Sequence, residues 1–208
     1  MADVATTVAP ARRRRWRRRL FVLALVMLPV PVFGCTATIA PPPAPNEPTT
    51  VFLLSEAMHT GVVLPPLGPD DEFVEFGYGD WNWFALGNDA WYRVFPTVLW
   101  PTQGTLGRRT FGARDERQLR SAAWWTTLSP VVVDAQKARE LRLRLQAQFD
   151  AGASAMVRRQ DLGFAFVPVD DSYWFGFTCA DAAAQWFTEL GCEVGWVPIR
   201  SGLRTATP

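Results

Sequence analysis

The amino-acid sequence predicts a single α+β domain with a small antiparallel sheet and flanking helices. Short β-type runs dominate residues 51 to 77, and further strands are predicted at 103–112 and 164–169. Two helices are predicted between and after these later strands, at 134–150 and 178–190. Strands followed by an irregular mixture of helices and strands, without an internal repeat, are typical of the α+β class.

The early strands follow from β-branched and aromatic residues that are bounded by turn formers. Runs of this kind occupy residues 51–55 and 61–64, and Pro65 and Pro66 end the second run. Residues 73–77 predict a third strand, in which Phe73 and Glu75 lie on one face and Val74 and Phe76 on the other.

The helices follow from caps and apolar spacing. Asp134 can cap a helix that runs to about residue 150, and its apolar stripe consists of Ala138, Leu141, Leu145 and Phe149. Gly191 is the stop signal for the last helix. The aromatic-rich segment 82–100 predicts a further helix that is interrupted near Pro96.

The first 34 residues have the order of a secretory signal. Arginines at positions 12–15 and 17–19 precede an apolar run at 20–33, which is shorter than the roughly 20 residues that cross a bilayer. The run closes on Gly34, directly before Cys35. This ending resembles the signal of bacterial lipoproteins, in which the cysteine is lipidated and becomes the new N-terminus.

The resemblance implies a chain anchored to a membrane through a lipid on Cys35, in the cell envelope, facing the periplasm or the exterior. An uncleaved signal anchor is the alternative. Arg18 and Arg19 also fit a twin-arginine export signal, so the export route stays open.

Composition excludes one class of partner. The leader holds seven of the 21 basic residues, so the chain from Cys35 onward carries 14 basic and 19 acidic side chains and is net negative. No basic patch with interleaved aromatic residues follows the leader, and we therefore expect no nucleic-acid partner. Residues 35–50 contain five prolines and predict a stiff tether, which leaves 51–208 as the globular part.

His59 and Cys179 are the residues that could carry chemistry. His59 is the only histidine, and Cys179 falls in the first turn of the last predicted helix. Thr178 and Asp181 form a variant of the capping box that starts this helix. A helix N-terminus and a nearby imidazolium would both lower the pKa of the Cys179 thiol, which is the chemistry of a cysteine nucleophile with a histidine base.

Purely structural roles are the alternative for both residues. A lone histidine after a strand is usually structural, and a lone cysteine is often a small buried apolar residue. Cys179 and Cys192 flank the last predicted helix, whose length would separate their Cα atoms by about 20 Å. A disulfide needs about 7 Å or less, so we expect them not to pair. The spacing of His59 and the cysteines does not fit a zinc motif, and no cofactor is expected.

Three sequence blocks carry a resemblance to a known family. Residues 55–65 (SEAMHTGVVLP), 74–80 (VEFGYGD) and 178–180 (TCA) are similar, in this order, to the bacterial family called domain of unknown function 2459. The similarity spans most of residues 51–197. Met58 and Tyr78 stand where the family usually has tryptophan, and Ala180 where it usually has asparagine.

A second, more distant resemblance concerns topology. Histidine on an early strand, a polar residue on the next strand and cysteine opening a late helix is the order found in circularly permuted, NlpC-type papain-like hydrolases. This resemblance implies a papain-like fold, with Cys179 as nucleophile and His59 as general base. Glu75 is the first choice for the residue that orients His59, and Asp80 is the alternative; either could instead be a solvated carboxylate at a strand edge.

The sequence therefore favours an envelope lipoprotein that is a cysteine hydrolase or acyltransferase. Its substrate would be an amide, ester or thioester, with a peptidoglycan peptide as the first guess and a lipid as a further partner. Trp81, Trp83 and Tyr173 are predicted to line the groove. The alternative is a non-catalytic lipoprotein that binds a glycan, a peptide or a protein; a redox role for Cys179 is disfavoured because no resolving cysteine lies nearby in the sequence.

Overall fold

A computed structural model of the chain describes residues 19, 35–57, 59–90, 93, 97 and 99–206. The predicted secretory signal, apart from position 19, lies outside the described residues, and so does Met58. The strands are β1 Thr36–Ala40, β2 Pro48–Glu56, β3 His59–Leu64, β4 Val74–Asp80, β5 Thr102–Thr110, β6 Thr127–Asp134, β7 Val157–Arg159, β8 Phe164–Tyr173, β9 Glu193–Val194 and β10 Gly202–Thr205.

Seven of these strands form one antiparallel sheet in the order β6-β2-β3-β4-β5-β8-β7. The α+β class is confirmed. The prediction of a small sheet was wrong, because β5 and β8 pair along most of their lengths and extend the sheet beyond the early hairpins.

The helices are α1 Glu116–Ala122, α2 Ala135–Ala151 and α3 Cys179–Glu189, together with a π-helical turn at Trp81–Ala85 and a 3-10 turn at Ala153–Ala155. Asp134 caps α2 by accepting a hydrogen bond from the Gln136 N–H at 2.9 Å, as the sequence predicts. Within the predicted helix at 82–100, the described residues form the π-helical turn as far as Ala85, a non-helical stretch at 86–90, and isolated helical positions at 93, 97 and 99.

The large sheet has two unlike faces. The helix face carries alternate apolar residues of the central strands and is covered by the stripes of α2 and α3; its members include Val62, Val74, Phe76, Leu145 and Phe187. The opposite face, which we call the cavity face, carries Phe52, Leu54 and Val63 near α1, and Phe164 and Phe166 near the π-helical turn. The period of two in a strand therefore decides on which face each functional side chain lies.

The segment after Cys35 belongs to the domain. β1 pairs in parallel with β10 and antiparallel with β9, and its Ala37 and Ile39 are buried against the helix-face core. The predicted tether was wrong for residues 36–40, because this alternating stretch of threonine and apolar residues precedes the first proline and can pair along its whole length. β2 likewise begins at Pro48, inside the predicted tether.

Among the described residues, no helix combines the length and the hydropathy that crossing a bilayer requires. Cys179 and Cys192 lie at opposite ends of α3 and form no disulfide, as the length of the helix predicts.

Replacing Ile39 by Ala should destabilise the whole domain by about 2 to 5 kcal/mol, because the side chain is fully buried and would leave a cavity. Urea unfolding followed by far-UV circular dichroism measures the change. Val132→Ala, at an exposed position of β6, is the matched control and should cost much less. Equal stabilities of wild type and Ile39→Ala would show that β1 is a detachable tether after all.

Candidate active site

A buried carboxylate organises the cavity face. Glu75 lies in β4, has no solvent exposure, and uses both of its oxygens. Its Oε1 is 3.1 Å from Nε2 of His59, and its Oε2 accepts hydrogen bonds from Nε and Nη2 of Arg109 at 2.8 and 2.5 Å. A buried charge is tolerated when it is paired and hydrogen-bonded, and Arg109 supplies this pairing.

Strand register explains why these three residues meet. Glu75 in β4 is directly opposite Arg109 in β5, so their side chains project from the same face. His59 begins β3 and shares this face with Gly61 and Gly77 by the alternation of an extended chain. The His59 ring therefore lies across Gly77 and reaches diagonally to Glu75.

Glycine is required beneath the ring. A Cβ atom on Gly77 would lie 2.5 Å from Cε1 and 2.8 Å from Nε2 of His59, and one on Gly61 would lie 2.6 Å from Oε1 of Glu75. Each distance is shorter than van der Waals contact allows. The two glycines thus make room for the histidine–glutamate pair, which is a physical role for these residues in the sequence blocks HTGVV and EFGYG.

Arg109 is held as firmly as Glu75. Its guanidinium lies between the rings of Trp125 and Phe164, 4.4 and 4.3 Å from their centroids, and Nη1 donates to the Leu162 carbonyl at 3.2 Å. Stacking on two aromatic faces is favourable for a guanidinium. These contacts fix the positive charge that neutralises Glu75, so they fix His59 indirectly as well.

One nitrogen of His59 is left over. A carboxylate only accepts hydrogen bonds, so the bond to Glu75 places a proton on Nε2. Nδ1 is buried and has no hydrogen-bond partner among the described residues. In the neutral ring this nitrogen is an acceptor, and an oriented imidazole with an available acceptor is the arrangement that a general base requires. The preceding turn contains Ala57 at φ 42°, a strained conformation for a residue with a side chain.

Cys179 lies beside the start of the same strand. It is the first residue of α3, and its sulfur interacts with backbone N–H groups of Thr60 and Ala180 and with the Tyr173 side chain. Thr60 is the neighbour of His59 in the chain and precedes Gly61, the first residue of β3 that pairs with β4. The thiol therefore lies where β3 and β4 separate.

The predicted start of the last helix is confirmed. The Thr178 N–H donates to Oδ2 of Asp181 at 2.9 Å and the Thr178 side chain accepts from the Asp181 N–H, which together form a capping box. The Thr178 hydroxyl also donates to Oδ2 at 2.9 Å. Arg200 binds the other oxygen of Asp181 at 2.6 Å. This ion pair keeps the Asp181 charge engaged beside the first turn of α3.

The direction of the Cys179 pKa differs from the sequence-based expectation. Burial raises the pKa of this thiol, although the Thr60 and Ala180 N–H groups and the Tyr173 hydroxyl favour the thiolate. The sequence shows the helix N-terminus but not the burial of the sulfur, which is the larger effect here. In this state the cysteine is a neutral thiol.

The remaining predicted site residues have different positions. Asp80 is buried, accepts a hydrogen bond from the Trp83 N–H at 2.6 Å, and also binds the Thr102 hydroxyl. It caps the π-helical turn and is not the hydrogen-bond partner of His59; Glu75 is. Trp81 packs against the aromatic cluster of Phe164 and Phe166.

Tyr173 is placed with Cys179, on the helix-face side of the sheet. Its ring packs against Tyr78 at a centroid distance of 5.7 Å. Burial, and then the charge and hydrogen bond of Cys179, raise the pKa of Tyr173 well above its ordinary value. Tyr173 is therefore a hydroxyl donor to the sulfur.

A cavity of about 510 Å³ opens over His59 and Arg109 on the cavity face. Aromatic rings form much of its wall: Phe84, Phe111, Trp125, Phe164 and Phe166. Trp81, Trp83 and Tyr173, which the sequence predicts as groove residues, are not among the residues that line it. Tyr173 lies beside the Cys179 thiol and not in the wall of this cavity.

The sequence analysis did not predict Arg109 and its aromatic neighbours as site residues. The available signal was a charged residue within the predicted strand 103–112, but its partner is set by the pairing of β4 with β5. Trp125 and Phe164 come from segments far apart in the chain. Their convergence depends on the order of strands in the sheet, which local spacing does not encode.

A comparison with known proteins finds no family model, no curated protein and no solved structure that matches this chain. The described residues also contain no cluster of three or more histidine, cysteine, aspartate or glutamate side chains that could hold a metal ion.

Replacing Gly77 by Ala should displace the His59 ring, because the new methyl group would overlap it. As the chain has one histidine, its Hε1 proton gives a single imidazole signal in an NMR spectrum. We expect this signal to shift in Gly77→Ala and to stay in place in Gly68→Ala, where a Cβ meets no atom within 4 Å. An unmoved signal in Gly77→Ala would contradict the described packing.

Iodoacetamide should label Cys179 slowly at pH 7, because the reactive thiolate is disfavoured by burial. The rate should rise only above the ordinary thiol pKa of about 8.5. The measurement uses Cys35→Ser/Cys192→Ser, so that one thiol reports, and the same chain in urea is the reference. Fast labelling at pH 6 that disappears in His59→Ala would show instead a thiolate–imidazolium pair.

Proposed function

We propose that the protein is a cysteine hydrolase or acyltransferase of the cell envelope, with Cys179 as nucleophile, His59 as general base and Glu75 as the residue that orients His59. The observation that carries this proposal is the different bonding of the two ring nitrogens of His59: Nε2 is held by Glu75, whereas Nδ1 has no hydrogen-bond partner among the described residues. The Cys179 sulfur contacts the backbone of Thr60, the next residue. The sulfur of the proposed nucleophile therefore contacts the residue that follows the base in β3, and the base is held by the orienting acid.

The proposed reaction begins from a neutral pair. Nδ1 of His59 takes the proton of the Cys179 thiol while the sulfur attacks the carbonyl carbon of the substrate. The C–S bond forms, the bond from the carbonyl carbon to the leaving oxygen, nitrogen or sulfur breaks, and the leaving group takes the proton from His59. Water or another nucleophile then attacks the thioester, and His59 transfers the proton of this nucleophile to the sulfur.

The surroundings of Cys179 support charge that develops on the carbonyl oxygen. The Cys179 N–H lies at the N-terminus of α3, where the helix dipole favours negative charge. The Tyr173 hydroxyl interacts with the sulfur and stabilises negative charge there. Catalysis would therefore not require a thiolate in the resting protein, and the raised pKa of Cys179 fits transfer of the proton during attack.

The predicted family, fold type and anchor belong to this proposal. Membership of the domain of unknown function 2459 family rests on the three sequence blocks, and the papain-like relationship rests on the order His59, Glu75, Cys179. The lipid anchor on Cys35 rests on the preceding signal sequence. The substrate class is a carbonyl compound of the envelope: an amide, an ester or a thioester.

The cavity favours a second candidate function. Its aromatic walls enclose about 510 Å³, and Cys179 is not among its lining residues. A non-catalytic lipoprotein could use this cavity, with Arg109 and His59 at its floor, to bind a glycan, a peptide or a partner protein. The raised pKa of the buried thiol is also expected for such a protein.

Activity on p-nitrophenyl acetate and on an N-acetylated peptide amide separates the two candidates. Cys179→Ala should abolish turnover and the acyl adduct on Cys179 that mass spectrometry detects. His59→Ala should lower kcat/KM by roughly 10² to 10⁴-fold, the usual contribution of a general base. Glu75→Gln should lower kcat more than it raises KM, since Glu75 acts through His59.

Cys192→Ser is the matched control, because Cys192 is also a buried thiol but lies at the other end of α3. It should leave turnover unchanged. Wild-type turnover in Cys179→Ala would refute the proposed chemistry. Absence of any turnover, together with a change in Trp125 fluorescence when a glycan or a peptide is added, would favour the binding protein.

A further inference from the structure

Exposed apolar side chains are concentrated at one end of the large sheet. At this end β2, β4 and β8 finish and β3, β5 and β6 begin, as the pairs Glu56–His59 and Thr102–Tyr173 show. Six of the ten large apolar residues that the described structure exposes lie in the connections at this end. Trp125 is one of them and lines the cavity. We call the other five the apolar rim: Leu86, Leu99, Trp100, Trp124 and Phe175.

The members of the rim come from three separate connections. Leu86 ends the π-helical turn after β4, and Phe175 follows β8. Leu99 and Trp100 directly precede β5, and Trp124 precedes β6. Trp100 and Trp124 are 63% and 82% exposed, a large cost for indole rings in water. Apolar residues that are exposed together mark an interaction surface.

Cys35 is located at this same end. Its carbonyl accepts hydrogen bonds from the N–H and the hydroxyl of Ser201 at 3.0 and 3.1 Å. The neighbouring Arg200 binds Asp181 in the first turn of α3, and its carbonyl accepts from the Thr178 hydroxyl. A short series of contacts therefore links Cys35 to the helix N-terminus that carries Cys179.

The sequence before Cys35 identifies what covers the rim. The run at 20–33 is apolar and follows seven arginines, so both interpretations of it, a lipid-modified Cys35 and an uncleaved anchor, bring a bilayer to Cys35. β1 begins at Thr36, so no slack separates Cys35 from the domain. Tryptophan side chains favour the bilayer interface, where the ring is buried and its N–H stays hydrated.

We propose that the apolar rim docks on the bilayer that anchors the chain, and that the site at Cys179 takes an ester-linked acyl lipid from it. The substrate class rests on the proposed cysteine chemistry; the docking does not. In this reaction the C–S bond forms on Cys179, the C–O bond of the acyl ester breaks, and the lipid alcohol leaves with the proton from His59. This location favours a lipid over the peptidoglycan peptide that the sequence suggested first.

The docking is tested on the full chain reconstituted in phosphatidylglycerol–phosphatidylcholine vesicles whose acyl chains carry bromine, which quenches nearby tryptophan. We expect quenching of the wild type and loss of most of it in Trp100→Phe/Trp124→Phe, which removes the rim reporters. Leu143→Trp places a new exposed tryptophan on α2, away from the rim, and its emission should remain unquenched.

Charge at the rim supplies the complementary test. Leu99→Glu should abolish quenching of Trp124, whereas Val132→Glu, at an equally apolar and exposed position of β6, should not. Unquenched rim tryptophans in the wild type, or capture of the rim by a protein or by peptidoglycan with no quenching, would overturn the proposal.

The substrate class has its own measurement. Release of fatty acid from vesicle phosphatidylglycerol should fall by most of its wild-type rate in Leu99→Glu, while turnover of soluble p-nitrophenyl acetate should not change. Turnover of the soluble ester with none of the lipid would overturn the lipid substrate and leave the cysteine chemistry intact. Quenching without any turnover that depends on Cys179 would overturn the chemistry and leave the docking intact.

Discussion

The buried carboxylate of Glu75 is the constraint on which the cavity face depends. A fully buried charge is stable only with an opposite charge and hydrogen bonds, and Arg109 and His59 provide them from the two neighbouring strands. This requirement accounts for much of the surrounding sequence: glycine at 61 and 77 for space, and aromatic rings beside the guanidinium. Removal of Arg109 would leave the charge of Glu75 unpaired in the interior.

The two faces of the large sheet have different roles in the fold. The helix face is an apolar core that packs against α2, α3 and the three-stranded sheet of β10, β1 and β9. This packing fixes the N-terminus of α3 beside β3. On the cavity face, three positions carry a hydrogen-bonded network of polar and charged side chains instead of apolar ones: His59, Glu75 and Arg109. Cys179 lies on the helix-face side, beside Thr60, where β3 has not yet paired with β4. The rigid terminus of α3 and the oriented histidine therefore both adjoin the start of β3.

Local signals predicted the local parts of this structure. The cap at Asp134, the capping box at Thr178 and the early strands all follow from spacing and residue type, as the structure confirms. The size of the sheet and the role of Arg109 depend on strand order, which short windows of sequence do not determine. β1 was missed because five nearby prolines dominated the composition of residues 35–50, although none lies within residues 36–40. The burial of Cys179 is likewise a property of the assembled fold.

The pairing of β1 with β10 imposes an order on biosynthesis. These strands are separated by 166 residues, as the Cys35–Ser201 contact shows, so the first strand to be synthesised must wait for the last before it can pair. Until then Ala37 and Ile39 have no partner strand, and non-local contacts of this kind form slowly. A chain that ends before residue 202 would therefore leave β1 without its parallel partner, and the unpaired edge of this strand would be exposed to association with other chains.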